Sequence, residues 1–370
     1  MTETGIDIST LGEIERLGGK FYDNGKEETL FAIMKRYGVT GIRLRLWNDP
    51  FDEKGESYGA GGCDLQTVLS IARRAVKNGM NWMLNFHYSD FWADPGKQFI
   101  PKAWHGFSAK KLEMAVYDYT KEILAHCKNE LLYPAYVQTG NEITNGLLWP
   151  AGKVNYNDCG EPVSFDKMTR LLKAGTAAAR ESGNVKIILH LERSYDNAGY
   201  RKWLDAVTAA GVEFDIIGVS YYPFWHKSMT QLKNNLEDIS IRYDKDVMIT
   251  ETAYPYTNMH YSEKPGAAFV VNGGMSLSDG SLPPYPFSPE GQCCFLRDLV
   301  QMAKSVKRCI GLYYWEPAWI PVDGSTWSTE AARKYIHEEH KSGGNEWANQ
   351  CLFDYNGNSL PALNQLIPEN

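Results

Sequence analysis

The feature that most constrains this chain is a repeated secondary-structure unit. Eight short runs rich in β-branched and aromatic residues recur along the 370 residues: GIDIS (5–9), GIRLRLW (41–47), NWMLNFH (81–87), AYVQTGNE (135–142), KIILHLE (186–192), DIIGVSYY (215–222), DVMITET (246–252) and IGLYYWE (310–316). Each is bounded by polar, Gly or Pro punctuation and followed by a stretch long enough for a helix. The segment DLQTVLSIARRAVKNG (64–79) places Leu65, Val68, Leu69, Ala72 and Val76 on one helical face and offers Gly79 as a C-cap, and AKKLEMAVYDYTKEILAHCK (109–128) reads the same way. Eight such units in succession pair in parallel with right-handed crossovers, and their closed arrangement is the (β/α)8 TIM barrel, an α/β fold. The open doubly wound alternative lacks its glycine fingerprint after every run. No linker or composition shift divides the chain, so a single domain over 1–370 is expected, with a long Gly-, Ser- and Pro-rich loop at about 257–290.

In such a barrel the chemistry collects at the C-terminal ends of the strands. Those ends are polar here: Arg43 and Arg45 share a face of the second run, Asn85 and His87 close the third, and Asn141 and Glu142 the fourth. Ser220 and Tyr222 share a face of the sixth, Glu251 ends the seventh, and Trp315 and Glu316 the eighth. Glu142 and Glu251 are therefore expected to face each other across the mouth. Hydrolysis of a glycosidic bond needs such a pair, one carboxyl protonated to donate to the leaving oxygen, the other ionised to attack the anomeric carbon or activate water. Arg45 is expected beside Glu251, holding it ionised as the nucleophile. Glu142, flanked by Asn141 and apolar strand ends, is expected to have a raised pKa and to act as acid, then base. Asn141 is assigned to the sugar 2-hydroxyl and Trp315 to the floor beneath the ring. His87, Tyr222, Trp92 and Asp49 of the WNDP segment complete the expected substrate-binding set.

Composition narrows the alternatives. Aromatic residues make up 13% of the chain, with 11 Trp and 22 Tyr, and Trp92, Trp104, Trp149, Trp225, Trp319 and Trp327 stand in loop-like contexts. They pack a core or pave a cleft with flat faces suited to sugar rings. A formal net charge of -7 without any basic run argues against nucleic acid as a partner, and no window approaches the roughly 20 apolar residues of a membrane span. The seven cysteines include the adjacent Cys293 and Cys294 and form no C-x-x-C or Cys/His zinc spacing, so reduced thiols are expected and no metal. The eight scattered His residues, with no H-x-H pair in the first run, disfavour a metal-dependent hydrolase, and no cofactor is expected. The N-terminus, MTETGIDIST, has neither the positive start nor the apolar stretch of a leader. A cytoplasmic monomer is expected if that terminus is native, and a secreted protein if a leader has been removed.

The runs GGKFYDNGKEETLF, RLRLWNDPFDEKGESYGAGG, FHYSDFWADPGKQ, PKAW, QTGNEITNGLLWP, VSYYPFWH, LKNNL and ETAYPYT resemble the arabinogalactan endo-β-1,4-galactanases of glycoside hydrolase family 53, over nearly the whole chain from Gly5 to about Trp315. The resemblance implies a retaining barrel hydrolase that cuts β-1,4-linked galactan of pectin or oligosaccharides from it. Glu142 then matches the family's acid/base and Glu251 its nucleophile. Bacterial relatives include some that hold calcium in the loop after strand seven. Here that loop carries only Glu263, Asp279 and Glu290 as spread carboxylates, too few acidic groups for the six to eight oxygens calcium usually takes, and no calcium is expected there.

Overall fold

The computed structural model describes residues 1–262, 269–276 and 284–367. Eight parallel strands close into a barrel in the order of the chain: β1 (Glu3–Asp7), β2 (Gly41–Leu46), β3 (Asn81–Phe86), β4 (Tyr136–Thr139), β5 (Lys186–Leu191), β6 (Ile216–Ser220), β7 (Asp246–Glu251) and β8 (Cys309–Trp315), with β8 pairing back to β1. All eight sequence runs become strands. The first starts two residues earlier than expected, at Glu3, because Glu3–Asp7 pair with Gly311–Trp315 of β8. The fourth ends at Thr139, before Gly140, Asn141 and Glu142.

Among the described residues the helices that link successive strands and cover the outside are α1 (Leu30–Arg36), α2 (Leu65–Lys77), α3 (Ala109–Asn129), α4 (Asp166–Ser182), α5 (Asn197–Ala209), α6 (Met229–Arg242) and, between β7 and β8, α7 (Pro289–Ser305). The 3-10 turn Pro361–Leu366 packs on α7 and returns the chain to the barrel wall after β8. Local chemistry sets their ends. Asp64 caps α2 by accepting from the Thr67 N–H at 3.2 Å, and Gly79, at φ +77°, lets the Met80 N–H close on Ala75 O at 3.0 Å. The buried stripe of α2 is Val68, Ile71, Ala72 and Ala75; Val76, expected on that face, is exposed.

Alternation divides each strand between two cores. Ile42, Leu44 and Leu46 of β2 point out under the helices, whereas Arg43 and Arg45 point into the barrel. The lower interior is an apolar plug of Met83, Ile188, Ile216, Met248 and Tyr313. Above it lies a polar layer of Asp7, Arg43, Asn85, Gln138 and His190, all fully buried. Polar groups fill that space because each finds a partner in the layer, and they carry the site above them. The loop expected at 257–290 runs partly over residues 263–268 and 277–283, which lie outside the described residues, as do Glu263 and Asp279.

Candidate active site

Glu251 is the last residue of β7. Its Oε1 lies 2.8 Å from Arg43 Nη2, and its Oε2 accepts from the Tyr222 hydroxyl at 3.1 Å. The arginine that reaches it is Arg43, one pleat deeper than the Arg45 expected from sequence. The deeper side chain rises to both Glu251 and Asn141, whose Oδ1 accepts from Arg43 Nη2 at 2.8 Å. Arg45, at the rim, is held by Glu316 at 2.6 Å and Asp7 at 3.3 Å, its guanidinium 4.5 Å from the Trp92 ring centroid and 5.5 Å from that of Trp315. Asp7 also binds Arg43 at 2.9 Å. Five buried charges of alternating sign thus run Glu316, Arg45, Asp7, Arg43, Glu251, each ion within pairing distance of the next.

Glu142 owes its place to a sharp turn. Gly140 has φ +88° and Glu142 φ 49°, so the chain leaves β4 and turns back over the barrel mouth. A Cβ on Gly140 would lie 2.8 Å from Ile143 Cγ2, so the turn excludes a side chain there. A non-glycine residue in the left-handed region is uncommon and here aims a carboxyl at the cleft. Its Oε1 accepts from the Ser220 hydroxyl at 2.6 Å. Ser220 is brought there by an irregularity in sheet register: Val219 pairs with Ile249 but Ser220 with Glu251, leaving Thr250 as an extra residue in β7.

The electrostatics of the two glutamates differ. Desolvation by the cleft walls, then the charges of Glu251 and Glu192, push the Glu142 pKa well above the usual carboxylate value. Burial also raises Glu251, against the expectation that it is simply lowered, but the Arg43 guanidinium and the Tyr222 hydroxyl oppose that push. With a cation on one carboxyl and none paired with the other, the proton the pair shares belongs on Glu142.

Around them lies a cleft of about 730 Å³ lined by Arg45, His87, Trp92, Asn141, Tyr222 and Trp315, as well as the two glutamates. Every expected site residue but one is therefore brought together. Asp49 is not: its half-exposed carboxylate pairs with Lys102 at 2.9 Å, and its N–H donates to Asp90, so it ties two rim loops together beyond the cleft. Asp49 lies three residues past the end of β2, where strand alternation no longer fixes direction. His87 accepts at Nδ1 from the Trp47 indole (3.2 Å) and the Ala93 N–H (3.1 Å). Both are donors only, and burial with the nearby Arg45 and Arg43 holds the ring neutral, so its proton sits on Nε2, which has no hydrogen-bond partner among the described residues. Asn141 spends one amide hydrogen on Ala93 O at 2.9 Å and keeps a second.

Of the loop tryptophans, Trp92, Trp225 and Trp327 line the cleft, whereas Trp104 and Trp319 are core residues. Sequence reasoning missed Trp347, which packs 4.7 Å from Trp315, and the Glu192–Arg193 pair at the end of β5. It also missed His190. Period-two alternation in the run ILHLE places His190 and Glu192 on one face, the signal that could have found them. All seven cysteines are free thiols, and no helix among the described residues is long and apolar enough to cross a membrane.

An aromatic-walled cleft at the C-terminal mouth of a parallel barrel, with two glutamates of opposed electrostatic setting, is the arrangement of a glycoside hydrolase. Comparison with known proteins gives the same class and narrows it. Residues 3–366 match the profile of Glycosyl hydrolase family 53, and the chain belongs to that family. It is 36% identical to the endo-β-1,4-galactanase of Bacillus subtilis (strain 168), over 97% of this chain and 84% of that protein. The structure of the Ignisphaera aggregans family 53 catalytic domain superposes with a TM-score of 0.85 at 37% identity, over 98% of this chain and 94% of that one. A structure from a study of two fungal β-1,4-galactanases gives a TM-score of 0.78 at 28% identity, over 99% of both chains.

Proposed function

We propose that this chain hydrolyses β-1,4-galactosidic bonds in galactan, arabinogalactan or oligosaccharides from them, with retention of anomeric configuration and without a cofactor. The observation that carries the reading is the contrast between the two glutamates. Glu251 is bound by a buried guanidinium, whereas Glu142 makes no ion pair among the described residues and faces further carboxylates. The substrate follows from the galactanase relatives.

In this reading Glu142 gives its proton to the glycosidic oxygen as the bond to the anomeric carbon breaks, and the Glu251 carboxylate forms a bond to that carbon. Glu142, now ionised, takes a proton from water, whose oxygen displaces Glu251 and releases the sugar. Asn141 and His87 offer N–H donors to sugar hydroxyls, and Trp315 with Trp92 forms the apolar wall against the ring. The test is product analysis on linear β-1,4-galactan with the parent chain, Glu142→Ala and Glu251→Ala. Short galacto-oligosaccharides from the parent alone support the reading. Release from β-1,4-mannan or cellulose but not from galactan overturns the substrate assignment.

A further inference from the structure

Behind Glu142 runs a buried chain of hydrogen bonds that a two-glutamate mechanism does not require. Ser220 Oγ is 2.6 Å from Glu142 Oε1 and 2.9 Å from His190 Nε2. His190 Nδ1 is 3.1 Å from both Gln138 Nε2 and Asn141 Oδ1. Ser220 and His190 are fully buried.

The direction of this chain can be derived. Asn141 Oδ1 already accepts from Arg43 Nη2 at 2.8 Å and Asn85 Nδ2 at 3.1 Å, which uses both lone pairs of a carbonyl oxygen. The Gln138 amide is committed as well, to Asn85 Oδ1 at 2.7 Å and Gly140 O at 2.9 Å, so the direction is set on the Ser220 side: an ionised Glu142 Oε1 takes the one hydroxyl hydrogen, and a bare His190 Nε2 would then face a serine lone pair. The ring is neutral, because burial first and Arg43 second hold its pKa well below the usual value. Its single proton is therefore on Nε2 and points at Ser220 Oγ. With that lone pair of Ser220 occupied, the one hydroxyl hydrogen is directed away from His190, onto Glu142 Oε1. Oε2 makes no hydrogen bond to the described residues and is left to the cleft.

We infer that Ser220 and His190 are positioning residues for proton transfer: they make Oε1 of Glu142 a permanent acceptor, so that the catalytic proton is carried on Oε2, the oxygen facing the glycosidic bond. When that proton passes to the leaving oxygen, the electron pair of the broken O–H bond stays on a carboxylate that Ser220 already binds by a charge-assisted hydrogen bond. His190 touches no substrate and acts through Ser220. The inference rests on the acid/base role proposed for Glu142.

The experiment compares two substrates and two serine variants. Linear β-1,4-galactan has a leaving group that needs protonation; a 2,4-dinitrophenyl β-galactobioside does not. Ser220→Ala is expected to lose about 10- to 100-fold in kcat/KM on galactan, within the range general acid catalysis supplies, and less than about threefold on the dinitrophenyl substrate. Ser220→Thr, which keeps the hydroxyl, restores the galactan rate. His190→Phe shows the same substrate contrast more weakly.

The pH profile gives an independent readout. Glu142 is faced by the carboxylates of Glu251 from β7, Glu192 from the end of β5 and Asp94 from the loop after β3, and none of these changes in the variants. Ser220 stabilises the anion, so Ser220→Ala moves the basic limb of kcat/KM on galactan to higher pH. Equal losses on both substrates, or an unmoved basic limb, overturn the inference. Glu142→Gln on the same two substrates separates the failures: if it too shows no contrast, the acid/base reading of Glu142 has failed; if it shows the contrast and Ser220→Ala does not, only the positioning role has.

Discussion

Arg43 Nη2, fully buried, lies 2.8 Å from Oε1 of Glu251, whose side chain is 8% exposed where it lines the cleft, and the same nitrogen holds Asn141 Oδ1 at 2.8 Å. One guanidinium therefore fixes both the carboxylate at the end of β7 and the amide beside Glu142. Arg43→Lys keeps the charge but loses the planar fork that makes both contacts. The expected result is a fall in kcat of about 10²–10³-fold, the scale of losing one preorganised electrostatic contact, with unchanged far-UV circular dichroism.

Arg45 should behave differently. It lies against the faces of Trp92 and Trp315 and is paired with Glu316 away from the two glutamates. Arg45→Lys is expected to raise KM for galactan by about tenfold, with kcat within about threefold of the parent, because stacking on the Trp pair is lost while the reacting groups stay in place. Steady-state kinetics on both variants checks the contrast.

Glu142 links activity to stability through pH. Its carboxyl binds a proton more tightly in the folded chain than in the unfolded one, so the stability it contributes is complete below the unfolded pKa and is lost as pH rises through the raised folded value. Glu142→Gln removes that loss. Thermal unfolding should show the variant more stable than the parent at pH 8, by on the order of 1 kcal/mol, with no gain near pH 4. In kcat/KM the acidic limb reflects ionisation of Glu251 and the basic limb deprotonation of Glu142, and the basic limb should be absent from Glu142→Gln.

Asp49 supplies the control. Its pair with Lys102 is half-exposed and stands outside the cleft. Asp49→Ala should leave kcat/KM on galactan within about twofold and lower stability by less than about 1 kcal/mol, as for other exposed ion pairs. A large loss of kcat/KM would place Asp49 on the substrate after all.

The barrel and most of its mouth were legible in the sequence because both follow from period. Alternation places Arg43 and Arg45 inside, and the rule that chemistry sits at strand C-termini picks out His87, Glu142, Tyr222, Glu251 and Trp315. Alternation assigns a face but not a reach, which is why Arg45 and Arg43 changed places. It also assumes unbroken register. The extra residue at Thr250 brings Ser220 level with Glu251, and no residue pattern in the run DVMITET signals it. The left-handed turn at Glu142 was invisible because a glutamate carries no mark of positive φ; the turn that follows, residues 143–145, packs on β5, a contact distant in sequence. Asp49 was misplaced because it lies past the strand, where loop contacts with Lys102 and Asp90 decide its direction.

The central claim is hydrolysis of β-1,4-galactan by double displacement on Glu251. It is tested most directly by proton NMR of the first turnovers on linear β-1,4-galactan, reading the anomeric configuration of the new reducing ends before mutarotation. The expected result is β-configured ends from the parent chain and none from Glu251→Gln. First-formed α ends, or undiminished turnover in Glu251→Gln, would contradict it.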